Sequence, residues 1–301
     1  MTSQAAAAPR SAILSGIGLM LTGIFFFSLN DAMGKFLIAT FSVGQILLIR
    51  SAAGLVMLSL FIRREGWHSF RNAPRPFLQW IVRPALATFE VAAFYWALFS
   101  MSLADVMTFY LAGPIYVTAM SPFLLGETVG WRRWVAVFAG FVGVMVALNP
   151  TAGSFAPGAL IAIAGSLSFS TVMISTRLVK GTPDIVLITS QTAAALLFGL
   201  IAAPFAWVTM SWRDTALLVL LGVIATFAHF CINRALKVAP ASVVVPYQYT
   251  TIVWAITLGY IFFADAPSWP MLIGATTIIA AGIYIFLHEQ KRTVPAIVEG
   301  P

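Results

Sequence analysis

Residues 24–38 read IFFFSLNDAMGKFLI, and the apolar run to which they belong, 12–38, is long enough to cross a bilayer and carries Asn30, Asp31 and Lys35 inside it. A carboxylate held in hydrocarbon costs about 3 kcal/mol or more, so Asp31 is expected to face protein or a water-filled cavity. Asp31 and Lys35 stand four apart with the acid first, the order that brings two side chains together as an ion pair on one helical face. Such a pair is either structural, with Lys35 snorkelling to the nearer membrane surface, or part of a transport pathway.

Further groups of this kind follow along the chain. Arg50 lies well inside the second apolar run and needs carboxylate or carbonyl partners there. Asp31 and Glu90 are the expected partners, with a bound anionic group as the alternative. Glu90 sits mid-run, on a face continued by Phe94, Ala97 and Met101, and is either neutral, paired with Arg50 or coupled to a proton. His229 and Asn233 share a face, which suits a proton relay, although a single histidine among apolar neighbours reads first as a hydrogen-bonded packing group.

Tyr110 shares a face with Pro114, and Tyr247, Gln248 and Tyr249 follow Pro246. Proline frees a backbone carbonyl and bends the helix, which lipid tolerates only beside other helices or cavity water. Rings next to such breaks stack on a planar solute or anchor the helix at the interface, and the depth of Tyr247 and Tyr249 favours the cavity. Asn30, Asn233 and Gln248 add neutral hydrogen-bonding groups to the same candidate set.

Other chemistry finds no support. His68, His229 and His288 are far apart, Cys231 is the only cysteine, and no phosphate loop, catalytic triad or metal-ligand spacing occurs. No metal, cofactor or disulfide is expected, and nothing points to ATP as an energy source.

The elements that must position these residues are membrane spans. Hydrophobic residues make up 60% of the 301 and charged residues 9%, where a soluble domain carries about a quarter. At about 20 residues per crossing, ten helices are expected, at 12–38, 43–62, 78–100, 104–125, 131–148, 158–179, 185–208, 215–236, 242–263 and 269–287. The first run is too long for a cleaved signal peptide and more spans follow it.

The net charge of +7 comes from short loops and shows no basic, aromatic-interleaved surface for nucleic acid. Arg10, Arg63, Arg64, Arg71, Arg75, Arg132, Arg133, Arg177, Lys180, Arg234, Lys237, Lys291 and Arg292 fall on one side of the ten-span map, against Lys35 and Arg213 on the other. Loops rich in Lys and Arg stay in the cytoplasm, so both termini are expected there, with residues 151–156 outside.

An internal repeat orders the whole chain. Ala87-Thr88-Phe89 returns as Ala225-Thr226-Phe227, Ala97-Leu98 as Ala235-Leu236, Glu127 as Asp265 and Trp131 as Trp269; near the start, Phe27-Ser28 returns as Phe169-Ser170 and Lys35 as Arg177. The expected fold is therefore an all-α integral membrane protein of two five-helix repeats, at 12–149 and 158–288, between tails at 1–11 and 289–301. An odd number of spans per repeat turns the second copy upside down, the architecture of secondary transporters.

With the run FYWALFSMSLADVMTFYLAGPIYVTAMSPFLLGETVGWRRWVAVFAGFVGV, and its echo ending in FFADAPSW, the chain resembles the drug/metabolite transporter superfamily and its ten-helix carriers built from two EamA repeats. The resemblance implies a carrier cycling between inward-open and outward-open states around a cavity lined by spans one to four and six to nine. Ala264-Asp265 stands where the first repeat has Gly126-Glu127, so the two acids are not assumed to have equal roles. NDAMGKFL, Arg50 and VVPYQY also look like a bacterial subgroup that includes riboflavin and S-adenosylmethionine carriers.

A secondary carrier of a small organic metabolite in a bacterial inner membrane is the expected function. Uptake of a heteroaromatic vitamin or cofactor-type solute comes first, riboflavin ahead of S-adenosylmethionine, with export of amino acids or cationic drugs as the alternative. An intramembrane lipid-modifying enzyme, with Glu90 and His229 as acid and base, is the rival from another class. The repeat argues against it, since alternating access uses that symmetry and catalysis does not need it. Lipids and the solute are the expected partners. Gly140, Gly143, Gly274 and Gly282 allow close helix packing and leave room for a homodimer contact.

Overall fold

Long apolar runs joined by short turns can satisfy their backbone in lipid by winding into helices, and in the computed structural model the described parts of those runs are predominantly helical. It describes residues 10–65, 70–71, 75–125, 131–148, 157–179, 182–238, 247–248 and 250–293. Glu127, Pro246, Tyr249, the 151–156 loop and the side chain of Asn233 lie outside the described residues.

The first half holds α1 (Arg10–Ile38), α2 (Val43–Glu65), α3 (Arg83–Leu98), α4 (Leu103–Leu111), α5 (Gly113–Leu125) and α6 (Trp131–Leu148). The second holds α7 (Pro157–Leu178), α8 (Asp184–Ala202), α9 (Trp212–Val238), α10 (Thr250–Phe263) and α11 (Trp269–Thr293). Among the described residues, six segments, in α1, α2, the third span, α7, α8 and α9, are long and apolar enough to cross a membrane by themselves. Large apolar side chains such as Val56, Leu60, Leu197 and Phe262 lie exposed on the outside, as a lipid-facing surface requires.

Among the described residues, the third and fourth spans are interrupted within their length, and the seventh ends in a 3-10 turn, Ala203–Ala206. The third opens with a π-helical stretch, Leu78–Val82, before α3. The fourth breaks at Ala112 into α4 and α5, because Pro114 has no N–H to offer the carbonyl one turn back. Hydroxyls from α7 serve carbonyls at this break: Ser166 Oγ donates to Phe109 O at 2.8 Å and Ser170 Oγ to Gly113 O at 3.2 Å.

Packing follows the repeat. The most extensive contacts are α1 with α9, α6 with α11, α2 with α8 and α3 with α7, each joining one half to the other. Exchanging the halves turns the α1–α9 contact into α7–α3 and maps α2–α8 and α6–α11 onto themselves, as two inverted copies demand. The helix glycines take part in this packing. A side chain at Gly143 would press on Gly274 and Ile278, and Gly140 faces Ile115, so both serve contacts within the chain.

One mouth of the bundle, at the α1–α2 turn, is closed. Leu37, Ile38, Phe41, Val43, Leu98 and Leu103 are buried there in one cluster. Gln45 clamps α2 to the segment after α8, its Nε2 donating to Val208 O at 2.8 Å and its Oε1 accepting from Val208 N at 3.1 Å.

Lys35 completes this closure, and its partner corrects the expected Asp31–Lys35 pair. Its ammonium bonds Asp265 in the turn between α10 and α11, and it lies 4.8 Å from the centre of the Phe263 ring. Lys35 and Asp265 remain 14% and 28% exposed. A pair with Asp31, a turn deeper at 5% exposure, would have required desolvating both charges.

Candidate functional site

Past this closed mouth, polar side chains from α1 to α4 converge. Arg50 Nη1 on α2 donates to the Tyr95 hydroxyl on α3 at 2.8 Å, and the guanidinium carbon lies 5.7 Å from that ring's centre. Gly34 on α1 makes room for the ring, since a Cβ there would overlap it. The expected hydrogen-bonding carboxylate is thus replaced by a phenol. Tyr95 stands beside Arg50 on the neighbouring helix and accepts one of its N–H bonds without bringing in a second charge. Arg50, Asp31 and Glu90 remain close enough for their charges to act on one another.

Tyr110 on α4 donates its hydroxyl to the Glu90 backbone carbonyl at 3.1 Å. Its ring meets Phe94 edge to face at 5.5 Å and tilts against Phe169 at 6.2 Å. It therefore ties α4 to α3 across the same site. Glu90 itself is half-buried.

Other sequence candidates lie at contacts between helices. Asn30, 2% exposed, donates from Nδ2 to the Leu221 carbonyl of α9 at 2.8 Å. His229 sits 2.7 Å through Nδ1 from the Ala225 carbonyl of its own helix, with its ring edge-on to Phe27 at 5.2 Å. Those are the partners of a packing histidine. Tyr247 packs on the cluster of Met20, Ile24 and Ala235, and Gln248 is half-buried beside it in sequence.

Arg83 escaped the sequence reading. It is 6% exposed, donating from Nε to Thr176 Oγ1 at 3.0 Å and from Nη1 to Leu187 O at 3.2 Å, and so joins α3 to α7 and α8. Nearby, Thr182 Oγ1 donates to Gln79 Oε1 at 2.9 Å. The available signal was an arginine before Pro84, several residues inside an apolar run.

Two spaces adjoin α1. A narrow gap is lined by Ser28 and Asp31 of α1, Leu103 and Met107 of α4 and Ala255 of α10. An apolar crevice of about 310 Å³ opens beside the Lys35–Asp265 pair, among α1, α9 and α10, where Phe36, Leu217, Phe262 and Phe263 contribute.

Comparison with known proteins adds relatives of matching length. The model of the EamA-like transporter family matches twice, over residues 14–149 and 156–287. An S-adenosylmethionine uptake transporter of Rickettsia felis is 28% identical over 282 residues, covering 92% of this chain and 94% of that one. A riboflavin transporter of Rhizobium johnstonii is 24% identical over 290 residues, covering 94% of each. A pseudopaline exporter, CntI, of Pseudomonas aeruginosa is 24% identical over 277 residues, covering 89% of this chain and 95% of that one. A crystal structure of a protein with 20% identity superposes with a TM-score of 0.61 over 95% of this chain and all of the other.

Proposed function

Because the chain belongs to the EamA-like transporter family, we propose that it is a secondary carrier that takes up a solute of the S-adenosylmethionine type across a bacterial cytoplasmic membrane, with both termini in the cytoplasm. The observation that carries the choice of solute is Arg50. Its guanidinium is held between helices by a neutral phenol and, among the described residues, makes no direct hydrogen bond to a carboxylate.

An amino-acid carboxylate is the natural partner for that fork. The same solute brings a cationic end, which Glu90 on α3 can receive, and a heteroaromatic ring, for which tyrosine faces are suited. Riboflavin, first on sequence grounds, carries no carboxylate for the Arg50 fork, so it becomes the second reading. The relatives' names support both orders of preference, and the exporter among them supports outward movement as the alternative direction.

Proteoliposomes loaded with unlabelled S-adenosylmethionine provide the test. External labelled S-adenosylmethionine should exchange inward unchanged, and Arg50→Ala should abolish the exchange. Exchange of riboflavin alone would reverse the order, and chemical alteration of the solute would favour an enzyme.

A further inference from the structure

Ser28 and Asp31 stand three residues apart on α1, so both point towards one side of the helix. They are 1% and 5% exposed, and neither Ser28 Oγ nor Asp31 Oδ2 has a hydrogen-bond partner among the described residues. Both line the narrow gap, whose remaining walls are Leu103, Met107 and Ala255. Two unsatisfied polar atoms in an otherwise apolar space are costly unless something occupies them in the working cycle.

The gap has no room for a water-sized sphere. A space too small for water is also too small for a metal ion with its oxygen shell or for any organic solute. What remains is a ligand without volume. The walls come from both halves of the chain, since α10 packs against α1 and α4, so movement of one half against the other must open the gap.

We propose that this gap is the proton site of the carrier: Asp31 holds the coupling proton while α1, α4 and α10 are closed round it and releases it when they part. On opening, the O–H bond at Asp31 breaks and water takes the proton as hydronium. Closing reverses the exchange, and no bond of the solute changes. The proposal rests on the carrier reading and divides the labour within the site, with the solute's charged end at Arg50 and Glu90 and the proton one helix away.

The groups that bear on Asp31 are fixed by the fold. Arg50 on α2, Glu90 and Tyr95 on α3 and Tyr110 on α4 lie near enough to interact with it electrostatically. On α9, His229 meets α1 one turn earlier, at Phe27. On α10 the lining residue is Ala255, and Lys35, one turn on along α1, is turned to Asp265.

Infrared difference spectroscopy of the whole protein in liposomes tests the proposal without a solute. A carbonyl band of a protonated carboxylic acid should be present in wild type, persist in Glu90→Gln and disappear in Asp31→Asn. A second measurement pairs labelled S-adenosylmethionine influx with a pH dye inside proteoliposomes. Protons moved per solute should fall to near zero in Asp31→Asn and be retained in Asp31→Glu. An unchanged ratio in Asp31→Asn, or a band that survives in it, overturns the proposal. If wild type moves no S-adenosylmethionine, the solute reading fails and the infrared result decides the proton site alone.

Discussion

Lys35 in the last turn of α1 is bonded to Asp265 in the turn between α10 and α11, so an ion pair at the closed mouth joins the first repeat to the second. Both side chains keep some contact with solvent, and pairs of that kind contribute about 0.2–1 kcal/mol. The link is thus strong enough to bias a conformational equilibrium and weak enough to be broken in each cycle.

Asp265→Asn should accordingly loosen the closed mouth. In a Cys231→Ala background, a cysteine replacing the buried Phe41 should react with a maleimide roughly 2–5-fold faster once the pair is lost, the population change that such an energy allows. The exchange of charges, Lys35→Asp with Asp265→Lys, should restore the slow rate. An unchanged rate in Asp265→Asn would mean that the apolar cluster alone holds this end.

Arg50→Ala and Glu90→Gln should each strongly reduce transport. Tyr95→Phe should weaken folding by about 1.5–3 kcal/mol, the worth of a hydrogen bond to a charged group, read as a lower melting temperature in detergent. Arg50→Lys should not rescue transport, because an ammonium lacks the planar fork. Near-normal transport in both Arg50→Ala and Glu90→Gln would make this polar cluster incidental.

Ala264 has a φ of 53°, a left-handed conformation unusual for a residue with a Cβ. Its N–H bonds Tyr260 O at 3.1 Å, and that of Asp265 reaches Gly259 O at 3.2 Å, so the strained residue presents the Asp265 side chain. Ala264→Gly should remove about 1 kcal/mol of strain, partly offset by the entropy of glycine. The melting temperature should rise slightly, whereas Ala264→Val should lower it.

Asn30→Ala should cost about 1 kcal/mol through the lost bond between α1 and α9. Transport per folded molecule should change little, which a stability measurement beside an exchange assay will show. A large loss of exchange without loss of stability would return Asn30 to the solute site.

Orientation yields a separate test. Arg71→Cys, in the Cys231→Ala background, should be protected from an impermeant thiol reagent in intact cells, and Arg213→Cys should react. The reverse pattern would invert the assignment based on Lys and Arg placement.

The spans, the repeat and most polar candidates were legible because hydrocarbon imposes long apolar runs and penalises each polar interruption. Partners were less legible. Spacing along α1 suggested Asp31 for Lys35, but depth decided the matter, and depth depends on how α10 and α11 sit against α1. Arg50 pointed to a carboxylate because charge was readable, whereas the Tyr95 hydroxyl became available only through the α2–α3 contact and the room left by Gly34. The break at Ala112 was signalled by Pro114, but the α7 serines that serve it were not, since hydroxyls within an apolar helix also bond their own backbone.

The polar links between the halves have a consequence for how this chain is made. Asn30 waits for Leu221, Gln45 for Val208, and Arg83 for Thr176 and Leu187. The early spans must therefore enter the bilayer with these groups unmatched and remain so until the ribosome has delivered the partners. Membrane insertion and completion of the native interior are separated in time, and a nascent chain stopped at the end of α8 still lacks the partners of Asn30 and Gln45.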